Sequence, residues 1–331
     1  MRAVICKELG PLENLSVEEV PSAPLLSGYV RLRVLASGVN YVDGLLIQGK
    51  YQIKPPTPFV PGMEVVGEVV ECFEDVSSAL LGKRVLANVG FGGFATEAVV
   101  RADRVITIPD TLTTGQAASF LQSYLTGWFA LTRRAHISVQ SPGKEQWMLV
   151  LGAGGGVGLA AVDIGVALGL KVIAAASSED KRELARARGA VAVIDSANED
   201  VKERAKEISG GGVDILYDPV GGALGETCLR ALGEDGQYLV IGFVGGIPQL
   251  PANQVLLRNR RVIGVDWGAW AGRNPEGNAQ LLDEVLAKIA AKQLSPVELQ
   301  VYLLSEAAKA LADLEHRRVA GKVVLVADEG K

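Results

Sequence analysis

Apolar residues follow two rhythms along the chain. From residue 1 to about 124 they come in short runs that alternate with charged positions, as in "YVRLRVLASGV", "MEVVGEVVE", "KRVLANVG" and "EAVVRADRVITIP", with Gly and Pro between the runs. Alternation of that kind marks half-buried antiparallel strands, so this part predicts a small, irregular β-barrel or sandwich. Around 113–134 the spacing turns helical and ends on basic residues, which favour a helix C-terminus. A second rhythm then begins. Apolar strand candidates fall at 147–151, 171–176, 191–194, 213–217, 237–242 and 261–265, with helical segments such as 157–168, 179–188 and 199–208 between several of them. Strand–helix alternation predicts an α/β fold, a doubly wound parallel sheet of six strands with helices on both faces. Two amphipathic helices at about 276–292 and 305–317 and a last strand, "GKVVLVA", follow. That last strand has no place in a completed six-stranded sheet, so it is expected to return to the first domain.

Composition narrows the class. A chain of 331 residues with 48% hydrophobic and 21% charged side chains suits two folded domains. A net charge of −5 argues against sequence-independent nucleic-acid binding, which needs clustered positive charge. The start, "MRAVICKELG", lacks the apolar core of a secretory signal, and Asp163, Lys171 and several glycines interrupt the most apolar region, 147–177. No membrane span and a cytoplasmic location are expected. Cys6, Cys72 and Cys228 are far apart, an odd count without a CxxC pair, which suits reduced thiols rather than disulfides or zinc. Neither GxSxG nor HExxH occurs, so hydrolase and metalloprotease readings are weak.

The chemistry starts at "MLVLGAGGGVGLAAVDIGVALG", which reads strand, tight turn, helix. Aligned on its last glycine, the turn is Ala153-Gly154-Gly155-Gly156-Val157-Gly158, an AxGxxG variant of the dinucleotide fingerprint. Gly155 would let the backbone approach a pyrophosphate favoured by the helix N-terminus, and Gly158 would let the helix pack closely on the strand. The acid that commonly follows about 20 residues later, to hold a ribose 2′-hydroxyl, is missing. Its position is Ala176, followed by Ser177, Ser178 and Lys181. Hydroxyls and a cation suit a 2′-phosphate, which favours NADPH over NADH. Ser178 also suits a helix N-cap, with Glu179 and Asp180 in the first turn.

The stretches "VLASGVNYVDGLLIQGKY", "PFVPGMEVVGEVVE", "AGGGVGLAA" and "RRVAGKVVL" resemble, in order and spacing, the medium-chain dehydrogenase/reductase superfamily in its zinc-free quinone oxidoreductase (zeta-crystallin-like) branch. At the positions that hold catalytic zinc in the superfamily's alcohol dehydrogenases stand Asn40 and Met63, a poor set for Zn²⁺. The resemblance implies a GroES-like β-barrel catalytic domain of residues 1–124 completed by 266–331, and a Rossmann domain of residues 125–265. It also implies a homodimer joined through the last sheet strand, "RVIGV", and a nicotinamide in the cleft between domains. Cofactor contacts would map to Asn40, Thr126, Gly155, Gly156, Val157, Ser177, Lys181, Phe243 and Lys322. Ser196 and Leu45 stand where tyrosines occur in some members.

Without a metal, hydride transfer to a quinone or an enone is favoured over alcohol oxidation, because such acceptors need only polarisation of a carbonyl. The expected activity is NADPH-dependent reduction of a small quinone or related α,β-unsaturated carbonyl. Asn40 and Tyr51 are the candidate catalytic residues; the Tyr51 role rests on the similarity of "IQGKY" to the proton-donor segment of 2-enoyl thioester reductases. Tyr51 is alternatively a loop residue that packs a turn. A 2-enoyl-CoA reductase, for which "LLRNRR" (256–261) could supply a basic rim although it more simply precedes a sheet strand, and a non-catalytic NADPH-binding protein are the alternatives.

Overall fold

The computed structural model describes residues 1–109, 112–137, 145–297 and 300–328. The chain divides into two units, Met1–Gln122 with Pro296–Lys331, and Ser123–Ser295.

The second unit is built on six strands, β1 (Trp147–Val150), β2 (Lys171–Ala176), β3 (Ala192–Asp195), β4 (Val213–Asp218), β5 (Leu232–Val240) and β6 (Arg261–Gly264). All pairings are parallel and the order is β3-β2-β1-β4-β5-β6. Helices α1 (Gly156–Ala167), α2 (Glu179–Ala187), α3 (Val201–Ser209) and α4 (Gly222–Cys228) follow the first four strands in turn. The central strands are buried on both faces, as Met148, Leu149, Val150, Val172, Ile173, Ile215 and Leu216 show. This explains why they read as continuous apolar runs. The order reverses between β1 and β4, and in doubly wound sheets the crevice at the carboxyl ends of such strands is where ligands bind.

One carboxylate holds the ends of this unit. Asp163, on α1, accepts the Tyr124 hydroxyl at 2.7 Å and the Ser295 N–H at 2.9 Å through the same oxygen. Arg188 lies 3.7 Å from it and donates to the Ser295 carbonyl. The unit therefore extends past the expected 125–265. The helices Trp267–Arg273 and Pro275–Ala290 belong to it: Phe129 stacks on Trp270 at 4.7 Å, and Trp128 donates its indole N–H to Glu284 at 2.7 Å.

The first unit centres on the long strand Tyr29–Val39. It pairs with Glu64–Cys72 along one edge, while its other edge pairs first with Glu97–Arg101 and then with Val323–Val326. The last strand of the chain does return here, antiparallel at Val323↔Val39. Gln300–Leu303 extends the sheet beyond it in parallel, and Arg84–Asn88 and Val105–Thr107 extend the other side. A separate antiparallel pair joins Arg2–Ile5 to Ser16–Glu19.

The predicted helix at 113–134 is broken. A Thr113–Gln116 capping box starts a short helix, Thr114–Ala118, and the chain then winds through two π-helical stretches, Leu121–Leu125 and Ala130–Arg134, around Thr126–Phe129. The chain passes from one unit to the other inside this segment, at Gln122 and Ser123. Cys6, Cys72 and Cys228 are all free. No helix among the described residues is long and apolar enough to cross a membrane.

All four tryptophans lie in the second unit, so their fluorescence reports its unfolding alone. Removing the shared acceptor with Asp163→Ala leaves the buried Tyr124 hydroxyl and the Ser295 N–H unmatched and should destabilise the unit by about 2–4 kcal/mol. Urea titration followed by tryptophan emission checks this; a loss below about 1 kcal/mol would show that Asp163 does not hold the ends.

Candidate functional site

The turn after β1 has the geometry its sequence requires. Gly152 has φ +58°, a conformation that favours glycine. A Cβ at Gly158 would stand 2.2 Å from the Gly152 carbonyl oxygen, so only glycine lets α1 begin this close to the turn. Gly155 differs: its nearest neighbour to such an atom is the Gly152 oxygen at 3.5 Å, an ordinary contact. The protein itself does not exclude a side chain at Gly155; the bare backbone leaves room there for a ligand. Gly155 is the N-cap of the 12-residue α1 and supplies no side-chain cap, so the helix start at Gly156 and Val157 keeps its affinity for an anion. This arrangement fits a dinucleotide pyrophosphate.

Lys181 comes to the same place. Its Cβ, Cγ and Cδ pass so close to Gly154 that a Cβ there would stand 2.4 Å from the first of them. The lysine stem therefore lies over the glycine turn. Ser177 is exposed at the end of β2, and Ser178 is the N-cap of α2. Ser178 does not cap α2 through its side chain. Its hydroxyl bonds to Asp180 instead and holds that carboxyl below its usual range. Glu179 is bonded to Arg186 and Arg182, which lower its pKa to about 2. Arg182 also donates to the Ala176 carbonyl and pairs with Asp195 at 3.1 Å, so it ties β2 to β3. The acids after Ser178 are thus paired with neighbours, and Ala176 at the strand end is buried.

Across the order reversal, Asp218 ends β4 fully buried. It accepts the N–H groups of Val220 and Gly221 at 2.7 and 2.8 Å and the Tyr238 hydroxyl. Burial raises its pKa, against the lowering effect of these bonds. Gly221 and Gly222, both at positive φ, bring this turn against the loop after β5: Gly222 donates to Gly246 at 2.7 Å and Gly245 to Val220 at 2.7 Å. That loop presents Phe243, which is 48% exposed. Thr126 is buried, and the adjoining Gly127 packs on α1, where a Cβ would meet Ile164 at 2.7 Å.

In the first unit the structure joins Asn40 and Lys322, 282 residues apart. Lys322 donates to the Asn40 side-chain oxygen, and Asn40 Nδ2 donates to Glu64 Oε1 at 3.1 Å. Lys322 also donates to that oxygen at 2.8 Å, and Glu64 Oε2 accepts the Gln122 N–H at 3.0 Å. All three side chains are buried. Asn40 precedes the helix Tyr41–Ile47, yet its amide is committed to this network; Asp43 caps in return, accepting the Asn40 N–H at 2.8 Å. A Cβ at Gly38 would lie 2.3 Å from Glu64 Oε1, so glycine there makes room for the carboxylate. Asn40 and Lys322 are therefore inner members of a charged cluster rather than open surface groups. Sequence reasoning missed Glu64 and Asp43. Asn40-x-x-Asp43 was the available signal, since an N-cap with an acid at the third helical position is a capping pattern.

Tyr51 is half-buried in the bend beyond the helix, two residues after Gly49, whose φ of +67° ends that helix. The basic run 256–261 is not a uniform rim. Arg260 is buried and spends its guanidinium on the carbonyls of Leu232 and Gln254. Among the described residues no three His, Cys, Asp or Glu side chains gather as a metal site.

Asp43 is fully buried, and desolvation raises its pKa to about 7, reinforced by Glu64 and opposed by the Asn40 N–H and Lys322. Unfolded, it would titrate near 4. Between those values the folded protein binds a proton that the unfolded chain does not, so stability falls as pH rises from about 4 to about 7 and levels off above. Asp43→Asn removes this slope. Calorimetry should find the Tm of the variant, relative to the parent, rising over that window; a difference independent of pH would rule out ionisation of Asp43 there.

Comparison with known proteins agrees with this geometry. The family model for the alcohol dehydrogenase GroES-like domain matches residues 27–110, and that for zinc-binding dehydrogenases matches residues 156–286. Quinone oxidoreductase-like protein 2 of Bos taurus is 36% identical over 327 residues, covering 98% of this chain and 92% of that protein. Its homolog in Nematostella vectensis is 37% identical over 330 residues, covering 98% and 88%. The quinone oxidoreductase of Thermus thermophilus, solved also in complex with NADPH, superposes with a TM-score of 0.83 at 32% identity, over 98% of this chain and 100% of that one. The Escherichia coli quinone oxidoreductase complexed with NADPH gives 0.86 at 26% identity, over 98% and 100%. With glycine turn, sheet order and full-length similarity in agreement, the chain belongs to the medium-chain dehydrogenase/reductase superfamily, in its zinc-free quinone oxidoreductase branch.

Proposed function

We propose that the protein is an NADPH-dependent reductase that delivers hydride to a small quinone or related α,β-unsaturated carbonyl. The observation that carries this reading is the Lys181 stem lying over Gly154, beside a strand that ends in Ala176 rather than an acid. A carboxylate at that strand end would repel a 2′-phosphate; a lysine and the exposed Ser177 suit one. The NADPH complexes of the Thermus thermophilus and Escherichia coli relatives support the same cofactor.

Gly155, Gly156 and Val157 would receive the pyrophosphate at the start of α1, Ser177, Ser178 and Lys181 the 2′-phosphate, and Thr126 and Phe243 would pack on the cofactor. Asn40 and Lys322 would hold its nicotinamide end. When bound, NADPH supplies the hydride. The protein's share is to hold the acceptor, polarise its carbonyl and return a proton, for which Tyr51 is the candidate donor. An enoyl-CoA substrate loses some support with Arg260 turned inward, since one of the three arginines meant for its phosphates is already bonded to backbone. The exposed edge strand β6 suits pairing with a second copy, as a homodimer of this branch would use it.

NADPH oxidation with an ortho-quinone and a short enoyl-CoA in parallel tests the reading. Turnover of the quinone is expected; turnover of the thioester alone would move the protein to the enoyl reductases, and NADPH binding without turnover to a binding role. Tyr51→Phe should lower kcat about a hundredfold if its proton is used. Lys181→Ala should cut kcat/KM for NADPH about tenfold and leave NADH unchanged; an unaltered NADPH/NADH ratio would remove the 2′-phosphate role.

A further inference from the structure

The Glu64 carboxylate receives more donors than any other group in the first unit's buried cluster. Lys322 Nζ and Asn40 Nδ2 both reach Oε1, and the Gln122 N–H reaches Oε2. Only an acceptor-only group with two oxygens can satisfy all three. The same contacts decide which way the Asn40 amide points. Its oxygen faces the Lys322 ammonium and its nitrogen faces the carboxylate. A flipped amide would set NH₂ against an ammonium and oxygen against a carboxylate, two repulsions in a buried place. The Lys322 ammonium, 7% exposed, is buried with Glu64 as its counter-ion. Asp43 is the other carboxylate near it, but the ammonium directs its bonds to Glu64 and Asn40.

We infer that Glu64 is a positioning residue for the nicotinamide end of the cofactor: it fixes the orientation of the Asn40 amide and holds Lys322 in place, without itself touching NADPH. This rests on the cofactor assignment above. A merely structural Glu64 would, when changed, loosen the protein generally. A positioning Glu64 affects only what Asn40 and Lys322 touch, and the adenine half of NADPH is assigned to the glycine turn and Lys181, in the other unit.

Glu64→Gln keeps the shape but turns an NH₂ toward at least one of the three donors. The test compares affinities of this variant for NADPH and for 2′-phospho-ADP-ribose, the same molecule without its nicotinamide, by titration calorimetry. NADPH should bind about tenfold or more weaker, the loss of a charged hydrogen bond, while the fragment keeps its affinity within about twofold. Lys181→Ala should weaken both. If Glu64→Gln does not fold, Glu64→Asp keeps a charge beside Lys322 but withdraws it by one methylene, and carries the same expectation. A folded variant that binds both molecules as the parent does, or weakens for both equally, overturns the role of Glu64 and leaves the cofactor assignment standing. A parent protein that binds neither overturns the cofactor assignment and this role with it.

Discussion

Burying an ammonium among apolar strands is expensive unless carboxylate and hydrogen bonds replace the lost water. The first unit is arranged around meeting that requirement for Lys322. Three separate pieces of chain converge on it: the end of the Tyr29–Val39 strand with the helix after it, the start of Glu64–Cys72, and the approach to the final strand Val323–Val326. Gly38 must be small for Glu64 to enter, and the Gln122 N–H closes the cluster on the far side of the carboxylate. The strand pairing that returns the C-terminal segment to this sheet, Val323↔Val39, is followed in sequence by Asn40 on one strand and preceded by Lys322 on the other, and these two side chains are hydrogen-bonded. Pairing and hydrogen bond therefore set the same register: a one-residue slip would turn the side chains of the final strand to the opposite face.

The second unit meets a different constraint, closeness of backbone. The α1 helix begins where a side chain at Gly158 would collide with Gly152, and the β4 turn sits where side chains at Gly221 and Gly222 would strike the carbonyls of Gly246 and Gly245. Glycines on both sides of the order reversal let backbone pack on backbone at the carboxyl ends of β1 and β4. At Gly155, by contrast, the protein would tolerate a methyl group. These glycine positions look alike in sequence, but Gly155 answers to a different demand from Gly158, Gly221 and Gly222.

What could be read in the sequence follows from how each element is buried. β1, β2 and β4 are covered on both faces and announce themselves as apolar runs. The fingerprint glycines are legible because the backbone geometry dictates the residue type. β5 starts earlier than expected, at Leu232, because "GEDG" reads as a turn while it continues the strand across a register shift. Gln300–Leu303 gave no alternating signal, since Val301 and Leu303 face solvent on an edge strand. Glu64 was hidden for the opposite reason: in "MEVVGEVVE" a charge beside valines looks outward-facing, and only a partner 258 residues away makes its burial tolerable. The helix expected at 113–134 failed because periodicity cannot register that the chain changes unit midway.

The shared Asp163 acceptor has a topological consequence. Tyr124 stands near the beginning of the second unit and Ser295 at its end, and both donate to one carboxylate oxygen. On the other unit's side, Gln116 and Ser119 reach the Pro296 and Val297 carbonyls, which pins the outgoing and returning chain together there too. The second unit is thus a closed loop of about 170 residues whose entrance and exit coincide. Such a unit can be inserted into a host fold, or exchanged for another, by joining the chain at a single place, and the host's final strand can still find its partner.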